Sequence, residues 1–277
     1  MEDAWVRVRR AKAHAQRLKG EVAKLRTPYP DVEMRPKDEN GEVHALVVAR
    51  VPERPPAEWG LLIGDILVDL RSALDYAVYS LAVAHTGQDP PPFDYRLEFP
   101  ICKNDPLAWG QALGRHKLDG LPQKAIDYIE SIQANQPGGG GDNAPLLFLE
   151  ELVGLNKHRF IPLSWSRLDS TTVKIRPIGC RVIRAKGFRI SGELKDGAVM
   201  MDIVLADLKK HVRVDVQLSV ATFVVISPVR GADGWMKLAE LGMLGPWVEH
   251  VVGELERFLT PGHVAPPPGT PIHLKPW

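Results

Sequence analysis

The sequence is short of features that mark several common protein classes. It has two cysteines among 277 residues, Cys102 and Cys180, and they lie in unrelated segments. So few thiols argue against a disulfide framework and fit a reducing cytoplasm, while one bridge between the two is left open. Thirty-five basic residues against 34 acidic ones leave a net charge of +1. This balance does not favour a dedicated nucleic-acid or membrane-surface protein, and only a local basic patch is left open.

Long apolar runs are also lacking. The longest uncharged apolar run, residues 218–226, is far shorter than the roughly 20 residues that a membrane-spanning helix needs. Residues 1–10 are charged and amphipathic, without the apolar core of a secretory signal. The sequence therefore predicts a cytoplasmic protein with no membrane partner.

Standard catalytic and cofactor motifs are missing as well. The sequence contains no G-x-x-x-x-G-K-[ST] phosphate loop, no strand-to-helix G-x-G-x-x-G, no G-x-S-x-G elbow and no H-E-x-x-H zinc motif. The four glycines at 138–141 lack the lysine of a phosphate loop and indicate a flexible loop. The nine histidines are scattered without metal-ligand spacing. We therefore expect no metal and no cofactor.

The sequence does contain one long helical stretch around which the rest can be arranged. Apolar residues recur in alternating steps of four and three between Trp59 and Ala84, which predicts one helix with a continuous apolar seam. Further helices are predicted over residues 3–26, 106–117, 122–134, 143–157 and 236–259.

The remaining segments are β-branched and alternating. Residues 160–227 predict an antiparallel sheet of about five strands, and residues 31–51 predict a small hairpin. The predicted fold class is α+β, with an N-terminal helical bundle packed with a C-terminal antiparallel β-sheet and a final helix. We place the bundle with its hairpin at 1–159, the β block with the last helix at 160–260, and a proline-rich tail at 261–277.

Two polar clusters border apolar stripes. Arg71 and Asp75 stand one turn apart beside the seam of the long helix, so that their side chains meet. The helix before the β block ends in four polar residues whose side chains are suited to binding a phosphate or carboxylate: Asn156, Lys157, His158 and Arg159. We expect both clusters to converge on one ligand-binding centre. The alternatives are a buried ion pair that ties a neighbouring loop, and basic caps on a helix end.

Two further polar pairs lie on the predicted helices. Asp65 and Asp69, one turn apart on the long helix, are interpreted as a solvated acidic face. Arg9 and His14 lie five residues apart on the first helix, a spacing that resembles the R-x4-6-H motif of HEPN-type ribonucleases. Those proteins are helical bundles in which the motif contacts and cleaves RNA, usually from a position late in the bundle. The resemblance covers six residues. It implies a HEPN-like bundle and metal-independent cleavage, with His14 or His158 transferring protons.

A broader resemblance covers most of the chain. The segments "RAKAH" at 10–14, "GDILVDLRSALDYAVYSLA" at 64–82, "FPI" at 99–101 and "NKHRF" at 156–160 look like a group of bacterial proteins without an assigned function. Those proteins share an LRSALD helix and a DKHR-like segment, whose usual aspartate is replaced here by Asn156. The resemblance transfers no activity, but it singles out five residues to test: Arg71, Asp75, Lys157, His158 and Arg159.

The leading functional hypothesis is a binding or interaction protein whose partner is an unknown protein or a small anionic ligand. The first alternative is a metal-independent ribonuclease of HEPN type with RNA as partner. The second is a structural subunit of a larger assembly, in which the proline-rich tail offers Trp277 to a partner. Homo-oligomer formation is left open by the sequence.

Overall fold

The structure is a computed structural model. It describes residues 1–24, 31–39, 41–50, 55–102, 107–133, 144–158, 161, 163–187, 195–211, 213–226, 236–260, 262–264, 267 and 274–277. The α-helices within these ranges are α1 (Glu2–Ala23), α2 (Ala57–Thr86), α3 (Ala108–Gly114), α4 (Gln123–Ser131), α5 (Ala144–His158) and α6 (Leu238–Arg257). The strands are β1 (Asp31–Glu39), β2 (Glu42–Arg50), β3 (Leu163–Ile178), β4 (Arg181–Gly187), β5 (Val199–Ala206), β6 (Arg213–Ile226) and β7 (Met236–Lys237).

The chain divides into two compact units, each of which is discontinuous in sequence. Unit 1 combines residues 1–20, 58–161 and 239–277, and therefore contains the helices. Unit 2 combines residues 21–57 and 162–238, and therefore contains the strands. The hairpin β1–β2 lies in unit 2, and α6 from Ala239 onward lies in unit 1. The segments predicted from the sequence, 1–159, 160–260 and 261–277, stay predictions.

Helix α2 is the central element of unit 1. It is buried on most of its circumference, and six of the seven seam positions predicted from the sequence are buried. The helix ends where Gly87 adopts a left-handed conformation with φ of 70°. In that position the Gly87 N–H donates to the Val83 carbonyl at 2.9 Å, which satisfies one of the last carbonyls.

Helices α1 and α6 also belong to this core. The buried residues of α1 recur at helical spacing on one face: Ala4, Val8, Ala11 and Leu18. The Trp5 Nε1 atom donates to Glu256 Oε2 at 3.0 Å, and a β-carbon added at Gly253 would lie 3.8 Å from the Trp5 ring. These contacts place the start of α1 against the second half of α6.

Unit 2 is built from antiparallel pairs. One sheet has the strand order β1-β2-β5-β4, and the other has the order β3-β6-β7. The first sheet buries a cluster of apolar residues: Ala45, Val47, Met201, Ile203 and Leu205. Ile175 of β3 and Val214 of β6 pack against this cluster, so the two sheets share a core.

The predicted α+β class, with helices packed together and antiparallel strands, is confirmed. The hairpin β1–β2 does not stand alone, because β2 continues the sheet through β5, with Val43 opposite Leu205. Within the described residues no helix is long and apolar enough to cross a membrane. Cys102 and Cys180 are not joined by a disulfide. A HEPN-like arrangement of the bundle stays a prediction.

Candidate functional site

Arg71 and Asp75 meet as predicted, and both reach a neighbouring loop. The Arg71 Nη2 atom donates to Glu98 Oε1 at 2.7 Å and to the Phe99 carbonyl at 2.8 Å, and it lies 3.2 Å from Asp75 Oδ1. Asp75 Oδ1 accepts the Phe99 N–H at 2.9 Å. Lys117 Nζ lies 3.1 Å from Glu98 Oε1. We call these five residues the Arg71 cluster.

The Arg71 cluster joins segment 98–99 to α2 through both backbone groups of Phe99. Burial raises the pKa of Asp75, while the charge of Arg71 and the hydrogen bond from Phe99 act in the opposite direction. Arg71 is 12% exposed, so little of its guanidinium faces solvent. This arrangement is the loop-tying ion pair that the sequence left open as an alternative. Ligand binding by Arg71 and Asp75 stays a prediction.

Asn156, the first residue of the second predicted cluster, lies against α2 at Gly64. A β-carbon added at Gly64 would lie 2.5 Å from Asn156 Oδ1, and one added at Gly60 would lie 2.9 Å from the Ile161 carbonyl oxygen. Because Gly64 and Arg71 are seven residues apart, they share a face of the helix, separated by about 10 Å along its axis.

The other residues of this cluster contribute less to the described site. Lys157 is exposed at the end of α5. His158 is the last residue of that helix, but its side chain, like all of Arg159, lies outside the described residues. Convergence of these side chains with Arg71 stays a prediction.

On α1, Arg9 and His14 point to different partners. Arg9 Nη2 lies 2.5 Å from Glu2 Oε1 on an exposed face. His14 Nε2 instead lies 4.0 Å from Asp69 Oδ2 of α2. Five residues correspond to about 140° around a helix, which accounts for the separation. The residue that joins His14 is Arg10, four positions away.

Around Asp69 the helices α1 and α2 form a second charged cluster. Arg7 Nη1 donates to Asp69 Oδ1 at 2.9 Å, and Arg10 Nε lies 3.3 Å from Asp69 Oδ2. Arg7 also reaches Tyr76, with Nη2 3.4 Å from the hydroxyl and the guanidinium carbon 5.4 Å from the ring centroid. Hydrogen bonds to Asp69 and Tyr76 raise the pKa of Arg7. We call Arg7, Arg10, His14, Asp69 and Tyr76 the Asp69 cluster.

The Asp69 cluster carries more cations than its one carboxylate can neutralise. Asp69 is 2% exposed, whereas the side chains of Arg7 and Arg10 are 29% and 57% exposed. The buried carboxylate accepts a hydrogen bond from Arg7 and has Arg10 within ion-pair distance, while both arginine side chains stay partly exposed. Such a fixed pair of arginines is suited to an external anion, because guanidinium groups bind phosphate and carboxylate oxygens in a preformed geometry.

The sequence interpretation of Asp69 as part of a solvated acidic face is wrong, since Asp69 is buried while only Asp65 is exposed. The signal that could have revealed the cluster lies on α1. Arg7, Arg10 and His14 follow each other at steps of three and four, which forms one polar stripe on a helix. Where such a basic stripe packs against a neighbouring helix, we expect a carboxylate on that helix to balance the positive charge.

Among the described residues, no three His, Cys, Asp or Glu side chains are grouped so that they could hold a metal ion. The side chains of the two clusters offer guanidinium, ammonium, carboxylate, imidazole and phenol groups.

The chain matches no family model, no curated protein and no solved structure. The resemblances to HEPN-type ribonucleases and to the bacterial proteins with an LRSALD helix stay predictions. Its function is therefore inferred from the geometry of its own side chains.

Proposed function

We propose that this protein binds a phosphate-bearing anion at the Asp69 cluster. The observation that carries the proposal is the charge imbalance around a single buried carboxylate, with Arg7 and Arg10 both directed to Asp69 and both partly exposed. The sequence hypothesis left open an unknown protein or a small anion as partner; the proposal takes the anion and moves the centre from Arg71 to the α1–α2 face.

The arrangement favours phosphate over a carboxylate ligand. Two guanidinium groups on successive turns of α1 offer several N–H donors, and a phosphate has enough oxygens to accept from both. Asp69 fixes one side of the arginines, so that less side-chain entropy is lost on binding. The half-exposed ring of Tyr76 borders the same cations and offers an apolar surface for the organic part of a phosphate ester.

Binding can be tested with a fluorescein-labelled single-stranded RNA of about ten nucleotides at low salt, where phosphate contacts are strongest. Arg10→Gln should weaken the anisotropy-derived affinity by about tenfold, because a charged hydrogen bond contributes roughly 1.5–3 kcal/mol. Arg9→Gln is the matched control, since it removes the same charge from the next residue on another face.

The two arginine variants separate a built site from general electrostatic attraction. Equal weakening by Arg9→Gln and Arg10→Gln would show that binding follows total charge, and the proposal would fail. No binding by the wild-type protein would also overturn it. Competition by inorganic phosphate and by uridine monophosphate then tells whether the isolated anion or a nucleotide is the preferred ligand.

A second candidate function is metal-independent cleavage of RNA, favoured by the position of His14 near Asp69 Oδ2. In that reaction the His14 imidazole takes the proton of the ribose 2′-hydroxyl, whose oxygen attacks the adjacent phosphorus. The P–O bond to the 5′-oxygen breaks, and this oxygen takes a proton from water. Asp69 would stabilise the imidazolium of His14, and the two arginines would stabilise the negative charge on the phosphate.

Cleavage is tested by incubating the protein with RNA in EDTA and separating the products on a gel. His14→Ala should abolish cleavage and retain binding, while His85→Ala, at the exposed end of α2, should change neither. RNA that stays intact with the wild-type protein removes this candidate and leaves anion binding to its own test.

A further inference from the structure

A cleft separate from the Asp69 cluster opens beside α6 in unit 1. Its walls are one face of α6, the side chain of Lys12 on α1, and the segment 274–277. Its volume is about 660 Å³, within the range of about 300–1,000 Å³ of small-molecule sites.

Trp277 forms the aromatic wall and is fixed at three points. Its Nε1 atom donates to Glu249 Oε2 at 2.8 Å, and Lys12 Nζ lies 5.5 Å from its ring centroid. A β-carbon added at Gly245 would overlap the ring, so only glycine at this position lets the indole lie against α6. Trp277, which the sequence suggested as a docking residue for a partner, is therefore packed on the chain's own helix.

The carboxylates of the cleft are already paired. Glu249 Oε2 accepts from Trp277 and lies 3.7 Å from Lys12 Nζ. Glu254 is 4% exposed and forms an ion pair with Arg257, while His263 Nε2 lies 3.6 Å from its Oε2. Glu254 Oε2 has no hydrogen-bond partner among the described residues, but Glu254 is 4% exposed, so little of this carboxylate faces the open cleft.

The cations of the cleft are less completely paired. Lys275 forms no ion pair with any residue that the structure describes, and it lines the cleft. Arg257 is more than half exposed beyond its bond to Glu254. Pro246, Leu274 and Pro276 add apolar surface beside the indole. The lining therefore combines one lysine without an ion-pair partner among the described residues, one guanidinium that is more than half exposed and a flat apolar wall.

We infer that this cleft is a binding site for a small anion with a flat apolar body, held by Lys275 and Arg257 at its charged end and by Trp277 at its ring. The site is independent of the Asp69 cluster, because none of its lining residues belongs to that cluster. An aromatic carboxylate and an aromatic phosphate share the required chemistry.

The probes are naphthoate, naphthyl phosphate and the neutral naphthalenemethanol, titrated into the full-length protein by isothermal calorimetry. Naphthoate or naphthyl phosphate should bind at least about tenfold more tightly than the alcohol, because only the anions reach the cations. Whichever of the two anions binds more tightly shows whether the site prefers a carboxylate or a phosphate group.

Lys275→Gln should lower the affinity for the two anions by about fivefold and leave the affinity for the alcohol unchanged, because it removes charge and not apolar surface. Lys24→Gln is the matched control, because Lys24 is a surface lysine with its own partner Glu21. Trp277→Ala should weaken all three probes. Thermal unfolding and circular dichroism of each variant show that the fold is kept.

Several outcomes overturn the inference: no binding of either anion at millimolar concentration, equal affinity for the alcohol, or full affinity in Lys275→Gln. Arg10→Gln should leave naphthoate binding unchanged, because Arg10 does not line the cleft. The failure of one site is therefore distinguishable from the failure of the other.

Discussion

Two charged clusters lie on α2 within two turns of each other, and they use their charges in opposite ways. In the Arg71 cluster, Arg71 is 12% exposed and has three oxygen acceptors, two of which tie segment 98–99 to the helix. In the Asp69 cluster the buried group is the carboxylate, and its arginines extend toward solvent. The Arg71 cluster is closed, and the Asp69 cluster is open.

Both clusters contain an ion pair, so an ion pair alone does not identify a binding site. The clusters differ in the burial of the cation: a buried cation indicates a structural contact, and a partly exposed one indicates a candidate site. Arg71 Nη2 is shared by three acceptors, and Nη1, which has no hydrogen-bond partner among the described residues, is buried away from solvent. Removing the guanidinium takes the donor from the buried Phe99 carbonyl. A buried carboxylate with exposed arginines keeps its donors available. The following predictions test this distinction.

The largest effect is expected for Arg71→Ala. It removes the donor that Glu98, Asp75 and the Phe99 carbonyl share, and hydrogen bonds to a charged group contribute roughly 1.5–3 kcal/mol each. Since Arg71 keeps slight exposure, we expect about 3 kcal/mol, measured as the loss of unfolding free energy in urea.

Arg10→Ala is the matched comparison for Arg71→Ala. Its guanidinium is largely exposed, so the loss should stay below about 1 kcal/mol, as for surface ion pairs. Similar losses for Arg10→Ala and Arg71→Ala would remove the distinction between open and closed clusters.

Asp69→Ala should have an intermediate effect of about 2 kcal/mol. The substitution removes a buried group that joins α1 to α2, but Arg7 and Arg10 can turn toward water once it is gone. Urea denaturation measures the loss. A loss larger than that of Arg71→Ala would mean that the Asp69 cluster is the main structural contact of this helix.

The sequence predicted the contact between Arg71 and Asp75, which it assigned to a ligand-binding centre, and it did not predict the Asp69 cluster; the reason is physical. Arg71 and Asp75 are an i,i+4 pair, whose contact follows from helix geometry alone. Arg7 and Asp69 are 62 residues apart, and their contact depends on how α1 lies against α2. The hairpin shows the same limit, because its strands were predicted but its pairing with β5 depends on non-local packing. Helix α2 was predicted almost in full, because one apolar period specifies it.

A smaller effect is expected at the junction of α2 with the end of α5. Gly64→Ala would place a β-carbon 2.5 Å from Asn156 Oδ1 and should displace that amide, at a cost of about 1–2 kcal/mol. The control is Gly110→Ala in α3, where nothing lies within 4 Å of the added carbon and helix propensity should raise stability slightly. An unchanged stability in Gly64→Ala would place Asn156 away from the Arg71 face of α2.

The smallest effect is expected from the ionisation of Asp75. Measuring it tests whether the charged form of this side chain stabilises the Arg71 cluster. Burial raises the pKa of Asp75 above its ordinary value of 3.8, despite the nearby Arg71. The folded state therefore holds this proton to a higher pH than the unfolded state does. The stability contribution of this group is complete below the unfolded pKa and is lost as pH rises through the raised folded pKa.

Asp75→Asn keeps an oxygen that can accept the Phe99 N–H but removes the titration. The unfolding free energy of the wild type minus that of the variant should therefore decrease as pH rises from about 3 to about 7. Urea titrations of both proteins across this range measure the difference directly, since all other titrating groups cancel. An increase with pH would mean that the charged pair with Arg71 outweighs desolvation. The closed cluster would then be held by ion pairing itself, and its contrast with the Asp69 cluster would depend on exposure alone.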